Sequence, residues 1–143
     1  MRRSLRGDAV LYQDALIIGG GAAGIMAALR AKDLGANVAI LEAENRIAKK
    51  ILITGNGRCN ISNEKIMFPF NNFHSQNKYF YRKVLSKLNV KSIKELFGSL
   101  GLSLISAENG KIYPESLQAS SVVDLLILNL RERDIPVYVN NRV

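Results

Sequence analysis

Patterned sequence begins at Ala15-Leu16-Ile17-Ile18, a short unbroken apolar run that ends in glycine. Such a run predicts a strand buried on both faces of a parallel sheet. Ala22–Leu34 follows, rich in Ala, Leu and Met, free of proline and closed by Gly35, which predicts a helix with glycine at its C-terminal end. Asn37-Val38-Ala39-Ile40-Leu41 is a second apolar run, again ending at a polar residue. Strand, helix and strand in so short a span predict one right-handed βαβ unit.

The pattern then changes. Residues 44–63 show no period but hold Gly55, Asn56, Gly57, Asn60 and Asn63, which predicts an ordered loop of tight turns. From Lys78 to Leu88, the apolar residues Phe80, Val84, Leu85 and Leu88 share one helical face. Ser92 with Glu95 three later has the form of a capping box, followed by Ile93, Leu96, Phe97 and Leu100 before Gly101. Leu102–Ser106 and Lys111–Tyr113 flank Glu108-Asn109-Gly110, a hairpin signal. Ser121 with Asp124 repeats the capping pattern at the start of a helix running to about Arg133, and Val137-Tyr138-Val139 predicts a last strand. The fold class is α/β.

Gly19-Gly20-Gly21-Ala22-Ala23-Gly24 fits the spacing GxGxxG between the first strand and the first helix. Gly19 permits a sharp turn, Gly21 lets backbone approach a pyrophosphate, and Gly24 allows close helix–strand packing. Phosphates would then meet the free N–H groups at the start of the helix, Ala22 and Ala23 included. Gly-rich turns also serve plain packing, so the motif gains its meaning from this strand–helix context. Glu42 closes the second strand, where an acid can accept from ribose hydroxyls and repel an adenosine 2′-phosphate. The pair points to FAD or NAD rather than NADP.

Composition narrows the partners. Of 143 residues, 48% are apolar and 22% charged, which argues for a folded domain. The net charge of +8 divides evenly between residues 1–60 and 61–143, so there is no basic tail. A single cysteine, Cys59, and a single histidine, His74, exclude an internal disulfide and make a cysteine- or histidine-rich metal site unexpected. We expect no metal and a reducing, cytoplasmic setting. Met1-Arg2-Arg3-Ser4-Leu5-Arg6 superficially resembles a signal peptide, but Asp8 and Asp14 interrupt the apolar part and the uncharged run 15–29 is too short to span a bilayer. Residues 1–13 are read as an N-terminal extension, and 14–143 as the dinucleotide-binding domain.

Thr54-Gly55-Asn56-Gly57-Arg58-Cys59-Asn60-Ile61-Ser62-Asn63, preceded by Lys49-Lys50 and followed by Ile112-Tyr113-Pro114-Glu115-Ser116, resembles a signature of the YhiN/BaiN-type flavoproteins. The resemblance runs from about Asp14 to Val143. It implies a Rossmann-like FAD-binding domain of the glutathione-reductase type, and an NAD(P)/FAD-dependent oxidoreductase acting on an unknown small organic substrate. Ala48 stands where the family usually has glycine, and Ser62 where threonine is commoner. The resemblance also implies that a backbone position after the last strand, here Val143, bonds the adenine; an ordinary strand residue is the equal alternative. Members of the family are longer, carrying a Gly-Asp flavin motif and a substrate domain. On that basis the chain is expected to be an N-terminal fragment, incomplete at its C-terminus and needing a C-terminal part that is separately encoded or missing.

The loop residues themselves agree with an anionic or flat ligand. Gly55 and Gly57 permit unusual backbone angles, Lys49, Lys50 and Arg58 can neutralise a pyrophosphate or reduced flavin, and Asn60 can donate to and accept from a ring edge. A surface loop with scattered charges is the bland alternative. Cys59 reads as a small packing residue rather than a nucleophile. Lys78, Arg82, Lys83, Lys87, Lys91 and Lys94, interleaved with Tyr79 and Tyr81, read as a solvated face. We therefore expect neither a nucleic-acid nor a membrane partner, although an RNA-binding module or a catalytically inactive nucleotide-binding fragment stands as an alternative. The substrate and the choice between NADH and NADPH are not legible.

Overall fold

The computed structural model describes residues 12–143, so most of the extension expected over residues 1–13 lies outside the described residues. In chain order the elements are β1 (Ala15–Ile18), α1 (Ala22–Asp33), β2 (Val38–Leu41), β3 (Ser62–Asn63), α2 (Lys78–Lys87), α3 (Val90–Ser99), β4 (Leu104–Ser106), β5 (Lys111–Pro114), α4 (Ala119–Glu132) and β6 (Val137–Tyr138). They fall into two compact units, one formed by the chain up to Ile47 with Leu130–Val143, the other by Ala48–Asn129.

The first unit is a parallel sheet of order β1-β2-β6 with α1 against β1 and β2. Ile25, Ala28 and Leu29 are the buried stripe of α1, spaced three and four apart as a helix facing a sheet requires. Burial of Ile25 and Leu29 stabilises by about 1.5–3 kcal/mol each. β2, in the middle of the sheet, buries Val38, Ala39 and Ile40. α1 ends as expected: Gly35 takes φ +90° and its N–H donates to Lys32 O at 2.8 Å. Arg133 Nε donates to Asp33 Oδ1 at 2.8 Å, tying the chain after α4 to the end of α1.

β1 departs from expectation. Its burial alternates, with Leu16 51% and Ile18 60% exposed, because only the face towards α1 is covered among the described residues. An unbroken apolar run does not distinguish a strand covered twice from one covered once.

The second unit holds an antiparallel sheet of order β3-β5-β4. The predicted hairpin forms, with Asn109 at φ +63° and Gly110 at φ +78° in the turn, and Ile105 opposite Tyr113 in the ladder. Both capping expectations need correction. The cap of α3 is Asn89, whose Oδ1 accepts from Ser92 N at 2.9 Å, so Ser92 is capped rather than capping. α4 starts at Ala119, which leaves Ser121 inside its first turn. Asn is as good a cap as Ser, and sequence alone did not rank them. The apolar face of α2 exists but is open, with Phe80 69% exposed and Val84 and Leu88 also exposed.

Glu64, just beyond β3, links two elements of this unit: its carboxylate accepts from Lys94 Nζ on α3 and from Ser106 Oγ on β4. The Lys94 ammonium first, and the Ser106 hydroxyl second, hold the Glu64 carboxyl below its usual range. A lowered folded-state pKa contributes stability that is present above the unfolded value, about 4.3, and is lost as pH falls through the folded one. Glu64→Gln should therefore lower Tm at neutral pH, with the gap to the parent closing towards pH 3. A gap that stays constant across that range contradicts the ion-pair account.

Candidate functional site

The first unit builds its candidate site at the carboxyl end of β1. Gly19 leaves the strand at φ +98°, a conformation that a side chain disfavours, and its N–H donates to Leu41 O at 2.7 Å. A Cβ on Gly24 would stand 1.9 Å from Gly19 O, so the absence of a side chain there lets α1 begin directly on the turn. Gly21 is different. It is the N-cap of α1 in extended backbone, and a Cβ built on it meets nothing within 4 Å.

α1 has no side-chain cap and no acidic residue in its first turn, while Arg30 and Lys32 occupy its last turn. The positive end of its dipole thus meets no acidic side chain of its own first turn, and Ala22 and Ala23 sit exposed there without bulk. An open position at Gly21 and an uncapped helix start fit a diphosphate. The residues present are compatible with the phosphates of a dinucleotide.

Glu42 is half-buried beside this turn. Its Oε2 accepts from Gly20 N at 2.7 Å and its Oε1 from Glu44 N at 2.8 Å. Those bonds aim the carboxylate. Gly20 was not singled out by sequence reasoning. A Cβ there would lie 2.2 Å from Ile47 Cγ2, so its lack of a side chain is what lets the turn reach Glu42. The run of three consecutive glycines, with Gly20 in its middle, was the available signal. Beyond β6, Asn141 N donates to Glu42 O at 2.9 Å and Asn140 N to Glu44 O at 2.9 Å, bringing that segment to the same end of the sheet. Val143 follows, 84% exposed.

The other sequence-singled residues, Lys49, Lys50, Gly55, Gly57, Arg58, Cys59 and Asn60, belong to the second unit. Residues 51–57 form a 3-10 helix broken at Thr54–Asn56, and Gly55, Asn56, Gly57 and Cys59 all have positive φ. Cys59 N donates to Thr54 O at 3.0 Å, closing the turn. Burial pushes the Cys59 thiol up, partly offset by a hydrogen bond with Thr54, which makes it a packing group rather than a ready nucleophile. Asn60, with its amide nitrogen turned towards the sheet, donates to Ser62 O at 2.9 Å and Ile112 O at 3.2 Å. Arg58 Nε donates to Gly55 O at 3.3 Å, and its guanidinium lies 4.9 Å above the ring of buried Tyr113. That Tyr113 is a partner of Arg58 was not legible in the sequence, where it marks the hairpin and the family signature. Arg58, Lys111, Glu108 and Tyr113 share the walls of a pocket of about 300 Å³. Lys49 and Lys50 are exposed.

Ala48 takes φ +59° where the family signature usually has glycine, so the departure keeps the turn at a cost of about 1–2 kcal/mol. The basic face runs over α2 and α3, and two of its members meet acids: Lys94 pairs with Glu64, and Lys91 Nζ lies 3.8 Å from Glu95. Among the described residues no cluster of three or more His, Cys, Asp or Glu could hold a metal ion, and no helix is long and apolar enough to cross a membrane.

A family model described as the HI0933-like protein Rossmann domain matches residues 13–143. The chain is 45% identical over 129 residues to the 3-dehydro-bile acid delta(4,6)-reductase of Clostridium scindens, covering 89% of this chain and 31% of that protein. It is 29% identical over 115 residues to the ribosomal RNA dihydrouridine synthase of Haemophilus influenzae, covering 80% of this chain and 28% of that one. The chain thus spans less than a third of the length of these curated relatives. Among solved structures, THI4 of Thermovibrio ammonificans aligns with a TM-score of 0.56 at 15% identity, over 90% of this chain and 38% of that one. The open conformation of a flavocytochrome c3 fumarate reductase aligns with a TM-score of 0.54 at 20% identity, over 90% and 26%. These likenesses show the fold, a Rossmann-type α/β domain.

The two helix-start glycines separate packing from binding. Gly24→Ala should lower unfolding free energy by about 1–3 kcal/mol or more through its backbone clash, whereas Gly21→Ala should stay within about 0.5 kcal/mol of the parent. Urea titrations with equal m-values check this. Equal losses in both variants contradict the geometry described here.

Proposed function

The chain belongs to the HI0933-like Rossmann-domain family, and from that premise we propose that it is the dinucleotide-holding front part of an FAD-dependent oxidoreductase. The observation that carries the reading is the start of α1: uncapped, without acid in its first turn, and preceded by a glycine whose missing side chain leaves open space. A diphosphate placed there accepts N–H bonds that no protein side chain takes. Glu42, held by Gly20 N and Glu44 N, is oriented to accept from ribose hydroxyls and disfavours a 2′-phosphate. The resemblance of the loop at Thr54–Asn63 favours FAD over NAD and adds Lys49, Lys50 and Arg58 as charge partners for a reduced flavin.

A bound FAD supplies hydride transfer from NADH or NADPH to the organic substrate. This chain's residues supply binding and orientation: the Gly19–Gly24 turn positions the diphosphate, and Glu42 sets the ribose. As substrate class we propose a small molecule with a carbon–carbon double bond conjugated to a carbonyl. A dienone bile acid and a uridine ring share that feature, and the higher identity to the bile-acid reductase favours the small molecule over RNA. Lys94 and Lys91, already facing acids, fit a solvated face better than an RNA track. A cytoplasmic setting fits the single buried thiol of Cys59.

Flavin fluorescence quenching on titrating the purified chain with FAD tests the assignment. The parent should quench, while Gly21→Ala, by putting a methyl group where the diphosphate would sit, and Glu42→Gln, by removing the charged acceptor, should each weaken binding about tenfold or more, about 1.4 kcal/mol per decade. Quenching that is indifferent to both substitutions sinks the assignment, and capture of RNA that fails in Lys83→Glu and Lys87→Glu would replace it.

A further inference from the structure

Two hydrogen-bonded turns of the second unit wall one pocket. The first is the turn around Gly55, where a side chain has no room: a Cβ there would lie 2.7 Å from Asn60 N and 3.2 Å from Tyr113 Cε1. The Tyr113 ring packs against this turn, and Arg58 lies over its face. The second is the hairpin turn between β4 and β5. Asn63 Nδ2 donates to Asn109 O at 3.2 Å, Glu64 N to Gly110 O at 2.7 Å and Ala107 N to Lys111 O at 2.8 Å, which fixes its backbone. Alternation along β5 puts Lys111 on the same face as Tyr113. Arg58, Glu108, Lys111 and Tyr113 thus enclose the space of about 300 Å³ described above.

The charges of that pocket are unspent. Arg58 Nε donates to Gly55 O at 3.3 Å, and no acceptor among the described residues takes the N–H groups of its terminal nitrogens. Neither Arg58 nor Lys111 forms an ion pair with Glu108 or with another described carboxylate, although all three line one space. A guanidinium seated over a ring and tied at Nε has its donor fork pre-organised, and a carboxylate meets such a fork with two parallel bonds. Two cations against one carboxylate leave a single positive charge, which matches a monoanion. A dianionic phosphate would leave Glu108 facing excess negative charge.

We propose that this pocket is a carboxylate subsite: the Arg58 fork grips the acid group of the organic substrate, Lys111 adds charge, and Glu108 selects a monocarboxylate over a phosphate. The substrate class proposed above, an activated alkene, is thereby narrowed to one that also carries an acid group. In turnover this role rests on the oxidoreductase reading. As a binding site it does not, since every residue it uses lies outside the Gly19–Gly24 cradle.

NMR of the full chain tests it, read at the Arg58 Nε–H and at the amides of Glu108, Asn109 and Lys111. The probes are trans-cinnamate, an alkene conjugated to a carboxylate, its neutral amide cinnamide, and inorganic phosphate. Cinnamate should shift these resonances saturably, with cinnamide about tenfold weaker or more for want of the charge-assisted pair. Lys111→Met should weaken cinnamate binding about two- to fivefold, and Glu108→Gln should tighten it by a similar factor while letting phosphate compete. Oxidised FAD at saturation should leave the cinnamate shifts in place. Absence of any saturable shift, or equal binding of cinnamate and cinnamide, overturns the inference. So does phosphate binding tighter than cinnamate in the parent, or weaker cinnamate binding in Glu108→Gln. Displacement of cinnamate by FAD overturns it as well, because the pocket would then belong to the cofactor. Failure of FAD to bind at the cradle counts against the cofactor reading alone and leaves these outcomes unchanged.

Discussion

The carbonyl of Gly19 and the missing side chain of Gly24 form the contact on which the first unit depends. With only 1.9 Å between that oxygen and the place a Cβ would occupy, no other residue lets α1 start where it does. That start fixes where the helix dipole ends and how Ile25 and Leu29 meet the sheet. Core packing and ligand chemistry therefore share one backbone approach, but they use different glycines. Gly24 is required by the fold, and Gly21 is left open by it.

Glu42 joins the two roles. A carboxylate at the end of β2 is costly to bury unless its oxygens are met, and Gly20 N and Glu44 N meet them. The same bonds hold the turn against β2 and aim the acid. Segment 140–141 adds backbone bonds to the carbonyls of Glu42 and Glu44, so three stretches of chain converge at one end of the parallel sheet. The second unit organises its loop by other means, with positive φ at Gly55, Asn56, Gly57 and Cys59 and with Arg58 seated over Tyr113.

The βαβ frame, Gly35, the Glu108–Gly110 hairpin and the final strand were legible in the sequence because each follows from a local rule of period or turn chemistry. The helix caps were less so: Asn89 and Ser92 are both good capping residues, and only the geometry of the chain chooses Asn89. Gly20 was hidden inside a motif whose spacing draws the eye to its neighbours, although its reason, the Ile47 side chain 27 positions on, is tertiary. Tyr113 under Arg58 was hidden for the same cause. The open face of β1 could not be read at all, since an apolar run looks the same whatever covers it. Family membership came from the combination of two motifs, the general GxGxxG and the far more specific TGNGRCNISN.

Backbone amide NMR of the chain titrated with FAD tests the central claim most directly. The account predicts that the largest shifts fall at Gly21, Ala22 and Ala23, with Gly20 and Glu44 moving as the Glu42 carboxylate takes up the ribose. Largest shifts on α2 and α3, with residues 19–24 unmoved, would contradict it.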